Sequence, residues 1–173
     1  MQARALMSGV VAYNLAILQQ SIAMLDWCIS MPDAARFPEA IGPHLRHVLE
    51  HYEELLDGLG RRVLEYDSRR RDRSVEADPR IALDRFAAAC RQLRELAGKP
   101  MPENVAVMLC GGIDGGENFV TLSTPARELM FLASHAVHHY AIIKPVLVER
   151  GYAVGADFGK APATIHYERE SAR

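Results

Sequence analysis

Val11, Leu15, Leu18, Ile22, Leu25 and Ile29 advance along the chain by alternating steps of four and three, the spacing of a helix that buries a single seam. The pattern predicts a first helix over about 9–30, ended by Met31-Pro32-Asp33. A second helix is predicted after Ile41-Gly42-Pro43, because proline at the first helical position gives up an N–H that has no partner there anyway. Its apolar positions are Leu45, Val48, Leu49, Tyr52, Leu55, Leu56 and Leu59, and the pattern extends to about residue 65. Asp78-Pro79 repeats the cap-then-proline signal and opens a third helix with the seam Leu83, Phe86, Cys90, Leu93 and Ala97, stopped by Gly98-Lys99-Pro100. Thr124-Pro125 opens a fourth, running to about 150, with a kink predicted at Pro145 where the backbone lacks a donor.

Between the third and fourth helices the period changes. Val105, Val107 and Leu109 alternate with their neighbours, residues 111–116 supply turn chemistry, and Phe119-Val120-Thr121-Leu122 follows, which predicts a short β-hairpin. Residues 66–80 are dense in both signs of charge and read first as a solvated connection, second as an ion-pair cluster holding that connection in place. After Gly151 the chain reads as an irregular extension, 151–173. The expectation is therefore one domain, 1–173, of the all-α class: a four-helix bundle over about 9–150 with a hairpin between helices 3 and 4.

A chain of 173 residues with 49% hydrophobic content can bury a sizeable core. Its formal charge of −2 gives no electrostatic footprint for nucleic acid. The sequence reads as free of an apolar run of membrane-span length and of a signal peptide, so a soluble, cytoplasmic protein without a membrane partner is expected. Cys28, Cys90 and Cys110 are odd in number and widely scattered, which points to reduced thiols rather than disulfides or a zinc knuckle.

The chemistry gathers on histidine. Three of the seven fall in Ser134-His135-Ala136-Val137-His138-His139-Tyr140, and the i,i+4 pair His135 and His139 stacks about 40° apart on one helical face. On a helical wheel the pair lands among Leu132, Ile142, Ile143 and Val146, facing the core. One histidine there is most often a hydrogen-bonded core residue, but burying two without use costs roughly 1–3 kcal/mol each. A third ligand is available from the second helix, where His44, His47 and His51 follow one stripe and the wheel does not choose among them. Zinc or nickel held by three imidazoles would keep a position open for water or substrate. Glu128, seven residues before His135 on the same face, is either a partner to a ligand imidazole or an acid favourably placed at a helix N-terminus. Tyr13, Asn14 and Trp27 are better explained by packing than by the site, Cys110 has no activating neighbour, and the 111–116 glycines lack the lysine of a phosphate loop.

Two motifs, Gly42-Pro43-His44-Leu45-Arg46-His47-Val48-Leu49-Glu50-His51 and Ser134-His135-Ala136-Val137-His138-His139, resemble those of the DinB/YfiT-like superfamily. The resemblance implies a divalent metal on His47, His135 and His139, with Glu50 three residues beyond the first, and a homodimer. It also implies a small-molecule substrate such as a low-molecular-weight thiol, in a thiol-transferase or hydrolase type of reaction. Two other readings compete. One is a haemerythrin-like two-metal bundle using His47, His51, Glu54 and Glu128, which is short of ligands because helices 1 and 3 offer chiefly Asp26 and Asp84. The other is a non-catalytic dimeric metal-binding or stress-response module.

Overall fold

Caps and prolines start the second, third and fourth expected helices where the sequence places them, whereas the first begins at Gln2, ahead of the expected start near residue 9. In the computed structural model, which describes residues 2–31 and 40–173, the helices are α1 (Gln2–Ser30), α2 (Gly42–Arg61), α3 (Arg73–Ala77), α4 (Pro79–Leu96), α5 (Pro125–Glu149) and α6 (Pro162–Ser171). Asp78 accepts from the Arg80 N–H at 2.8 Å and Thr124 from the Arg127 N–H at 3.2 Å, each satisfying a donor that the first helical turn leaves free. α1 ends at Ser30, ahead of the anticipated stop, of which Pro32 and Asp33 lie outside the described residues.

The core lies between α1 and α2 on one side and α4 and α5 on the other, each of the first pair packing against both of the second. Leu18, Leu25, Leu45, Leu49, Leu55, Phe86, Leu93, Leu132 and Ile143 are buried there. Two tyrosines fill its centre and keep their hydroxyls bonded: Tyr52 donates to Asn14 Oδ1 at 2.7 Å, and Tyr140 meets Ser21 Oγ at 2.6 Å. α1 has the length and apolarity of a membrane span over Ala5–Ser30, with a mean hydropathy of 1.2, contrary to the sequence reading that no run comes close. Its Val11, Leu18, Met24 and Leu25 are buried within the protein.

The all-α four-helix-bundle expectation is corrected. Among the described residues the chain forms six α-helices and a three-stranded mixed sheet, ordered β1 (Val63–Glu65), β2 (Val105–Gly111), β3 (Glu117–Ser123). The hairpin is present as β2 and β3, antiparallel with Val105 opposite Ser123, but it does not stand alone. β1 runs parallel to β2, Val63 opposite Ala106, in a stretch assigned by periodicity to the second helix. The helix stops at Arg61 because Arg62 turns into the left-handed region at φ 58°, and the chain reverses onto α2. Leu64 is then fully buried beside Val107 on the core side of the sheet.

Two further helices interrupt segments read as irregular. α3 sits in the charged 66–80 stretch, and the second of the two readings of that stretch applies. Arg85 pairs with Glu53 and, at 2.8 Å, with Asp72, while Arg46 pairs with Glu76 and with buried Glu50, which also accepts the Asp72 N–H at 2.7 Å. α6 follows Pro162 in the C-terminal extension and buries none of its residues, so no apolar period announces it. The segment before it packs on α5: Phe158 stacks on Tyr140 with ring centroids 5.3 Å apart, and Lys144 Nζ donates to the Phe158 carbonyl at 3.1 Å. α5 itself continues through Pro145 to Glu149.

Candidate metal centre

α2 and α5 lie against each other, and their histidines face across that contact. His47, His135 and His139 bring one ligand atom each to within 4.8 Å of one another, close enough for a single cation to reach all three. His51 and His44 flank them. The His51 ring lies 4.5 Å from that of His135, and His44 Nδ1 lies 2.7 Å from His139 Nδ1. The stripe on α2 thus arrives whole, with His51 buried and His44 and His47 half-buried. On α5 the apolar surroundings are one-sided, since Leu132 and Ile143 are buried while Ile142 is exposed.

Hydrogen bonds fix the tautomers of His51 and His47. His51 Nδ1 lies 2.6 Å from the His47 carbonyl, so that nitrogen carries the proton and Nε2 keeps its lone pair. If His139 Nδ1 donates to His44, His139 Nε2 is free for a cation, the arrangement in which a neighbouring acceptor orients a ligand imidazole. His135 Nε2 is different: it is buried with no hydrogen-bond partner. A neutral nitrogen left so costs on the order of 1–3 kcal/mol, and a metal ion on that lone pair removes the deficit.

Arg69 was not anticipated. It follows the 3-10 turn Tyr66–Ser68, and its guanidinium reaches over the α2 histidines, with Nη1 3.2 Å from His51 Nε2 and Nη2 3.2 Å from His47 Nδ1. Nη1 also donates to the Tyr66 carbonyl. The turn is held by Tyr66, whose hydroxyl donates to Glu128 at 3.0 Å and whose ring stacks on His51. No sequence pattern marks an arginine eighteen residues beyond the His51 it covers; only the turn set by β1 brings it back.

Burial sets the protonation of the cluster. It pushes His47, His51 and His139 down to about 3, reinforced by the mutual repulsion of neighbouring imidazoles and of Arg69, and it lowers His135 and His44. All five rings are neutral at pH 7, the form that ligates metal. Between pH 6.5 and 3 the unfolded chain binds protons at these sites that the folded chain does not, so stability is complete above about 6.5 and falls with pH below it. Chelator-treated protein is expected to lose melting temperature from pH 6.5 to 5, a window above most carboxylate titration, and His139→Gln should flatten the slope. A melting temperature constant across that window would contradict the assignment.

The other candidates fall elsewhere. Glu128 is buried but contacts no histidine; it accepts from Ser123 at 2.6 Å, Tyr66 at 3.0 Å and Arg127 at 3.1 Å, tying β3, the 3-10 turn and α5 together. Glu50 binds Arg46 and the Asp72 backbone. Glu54 accepts from Arg61 and the Glu65 N–H, and Asp26 and Asp84 are exposed, so no carboxylate joins the histidine group among the described residues. Asn14 is committed to Tyr52 and the Val10 carbonyl, and Trp27 packs 5.0 Å from Tyr152. Cys110 is exposed at the hairpin, its Sγ donating to the Gly115 carbonyl.

No family model and no solved structure matches the chain. Over 107 residues it is 32% identical to FK506-binding protein 5 of Rhizopus delemar, a stretch that takes in 61% of this chain. The chain covers 27% of the length of that protein.

Proposed function

We propose that the protein binds one divalent metal ion, zinc or nickel, through His47, His135 and His139, with the site chemistry of the DinB/YfiT-like superfamily. In this reading it is a cytoplasmic homodimer that acts on a small molecule, activating a low-molecular-weight thiol or water in a transferase or hydrolase reaction. The observation that carries it is the unpartnered, buried Nε2 of His135 beside two further imidazoles that are neutral at pH 7. A metal held there supplies Lewis acidity that lowers the pKa of a bound water or thiol. Neighbouring groups hold two of the imidazoles in place: His44 against His139 and the His47 carbonyl against His51.

Protein purified without chelator should carry close to one zinc or nickel per chain by elemental analysis. A metal-free chain that takes up neither ion on reconstitution would overturn the reading. Because the ligands come from two packed helices, a metal that only cross-links α2 to α5 is the second reading. It predicts a steep fall in melting temperature on chelation with no turnover in a screen of thiol-transfer and hydrolysis substrates. Light scattering should give twice the 19.2 kDa chain mass for the dimer.

A further inference from the structure

Arg69 is a half-buried cation with no carboxylate in contact. Among the described residues no carboxylate lies within ion-pair distance of it, although nearby arginines 46, 61, 85 and 127 are all paired. Its acceptors are neutral: the Tyr66 carbonyl and the lone pairs of His51 Nε2 and His47 Nδ1. Its Nε is buried and bonds nothing. Desolvation lowers its pKa, while Glu50 and Asp67, at longer range, pull the other way. An arginine kept charged in partial burial without an anion is costly, and the five donors of its fork match a planar carboxylate.

The lone pairs sharpen the case. A guanidinium only donates, so while Nη2 holds His47 Nδ1 the neutral His47 ring carries its proton on Nε2. Neither His47 nitrogen then has a lone pair to give a cation, and metal binding through His47 requires Arg69 to release it. Release leaves Nη2 and Nε together without acceptors, on the side of the guanidinium that binds carboxylates in a bidentate manner.

We infer that Arg69 seats a carboxylate of the ligand, so that the site takes small anionic molecules carrying a carboxylate beside the group that reaches the histidines. The inference rests on the metal reading above and names the substrate class for that same site. Arg69 is a binding residue whose specificity is for charge and planarity rather than for the reacting atom.

The test compares two probes that share a thiol and differ in charge, mercaptoacetate and 2-mercaptoethanol, on cobalt-loaded protein, with binding followed in the cobalt absorption spectrum. Wild type should bind mercaptoacetate at least about tenfold more tightly than 2-mercaptoethanol, the range expected for a charge-assisted contact. Arg69→Met should bring the ratio of the two affinities to that of free cobalt in the same buffer, and Arg69→Lys should recover part of it. A ratio equal in wild type and Arg69→Met overturns the inference while leaving the metal reading intact. Failure of the wild type to take up cobalt, zinc or nickel overturns both. Should Arg69→Met fold poorly, wild-type protein titrated with acetate gives the same answer: competition with mercaptoacetate but not with 2-mercaptoethanol supports the carboxylate seat, and competition with both or with neither overturns it.

Discussion

His135→Ala and His139→Ala are expected to abolish stoichiometric metal binding, weakening zinc or nickel affinity by more than the 10–100-fold typical of residues that merely orient a ligand. His47→Ala should do the same. His44→Ala belongs to the lower class, roughly tenfold, because its ring meets His139 rather than the centre of the three-histidine group. His51→Ala should also be mild, since its Nδ1 is committed to the His47 carbonyl and its Nε2 to Arg69. Equilibrium competition with a coloured chelator ranks all five. A ranking with His51 among the severe variants would move the α2 ligand one turn along the helix. His135→Leu provides the control against misfolding. Its metal-free form should melt no lower than metal-free wild type, because an apolar side chain replaces a buried nitrogen that has no partner.

Much of this centre was legible in the sequence because its parts are local. An i,i+4 pair on a helix and a stripe at three-and-four spacing share a face by helical geometry alone, whatever the rest of the chain does. Choosing the third ligand needed the crossing of α2 and α5, which no periodicity reports. Arg69 was out of reach for a stronger reason. It returns to the site only because the helix ends at Arg61, β1 pairs with a strand more than forty residues later, and the Tyr66–Ser68 turn points the chain back. Three residues of strand are too few to show a period of two, so the helical pattern that ends on Leu59 extends on paper to about residue 65. α6 is silent in the sequence for another reason: Pro162 stands at its first turn, but a helix that buries nothing carries no apolar stripe. Pairing across the 66–80 segment depended on Arg85 and Glu53, which lie on two different helices.

Gly58 is where the unforeseen strand and the foreseen helix meet. A Cβ built on Gly58 would lie 2.5 Å from the Val63 carbonyl oxygen and 2.5 Å from Leu64 Cδ2, whereas one on Gly60 meets nothing within 4 Å. Both glycines are in α2, so alanine at either removes the same backbone freedom from the unfolded chain and adds up to ~1 kcal/mol of helix propensity. At Gly60 nothing opposes that gain, and Gly60→Ala should raise the melting temperature by a few degrees or leave it unchanged. At Gly58 the carbonyl cannot rotate aside without breaking the turn at Arg62, and overpacking of this kind costs about 1–3 kcal/mol. Gly58→Ala should therefore lower the melting temperature by several degrees, and Gly58→Val by more. Because β1 leads directly into the turn that carries Tyr66 and Arg69, displacing it should also disturb the cover over His47 and His51. Metal-binding titrations of Gly58→Ala and Gly60→Ala read that connection: altered affinity in the first with wild-type affinity in the second places β1 in support of the site, and equal affinity and stability in both variants would refute the close packing of β1 on α2.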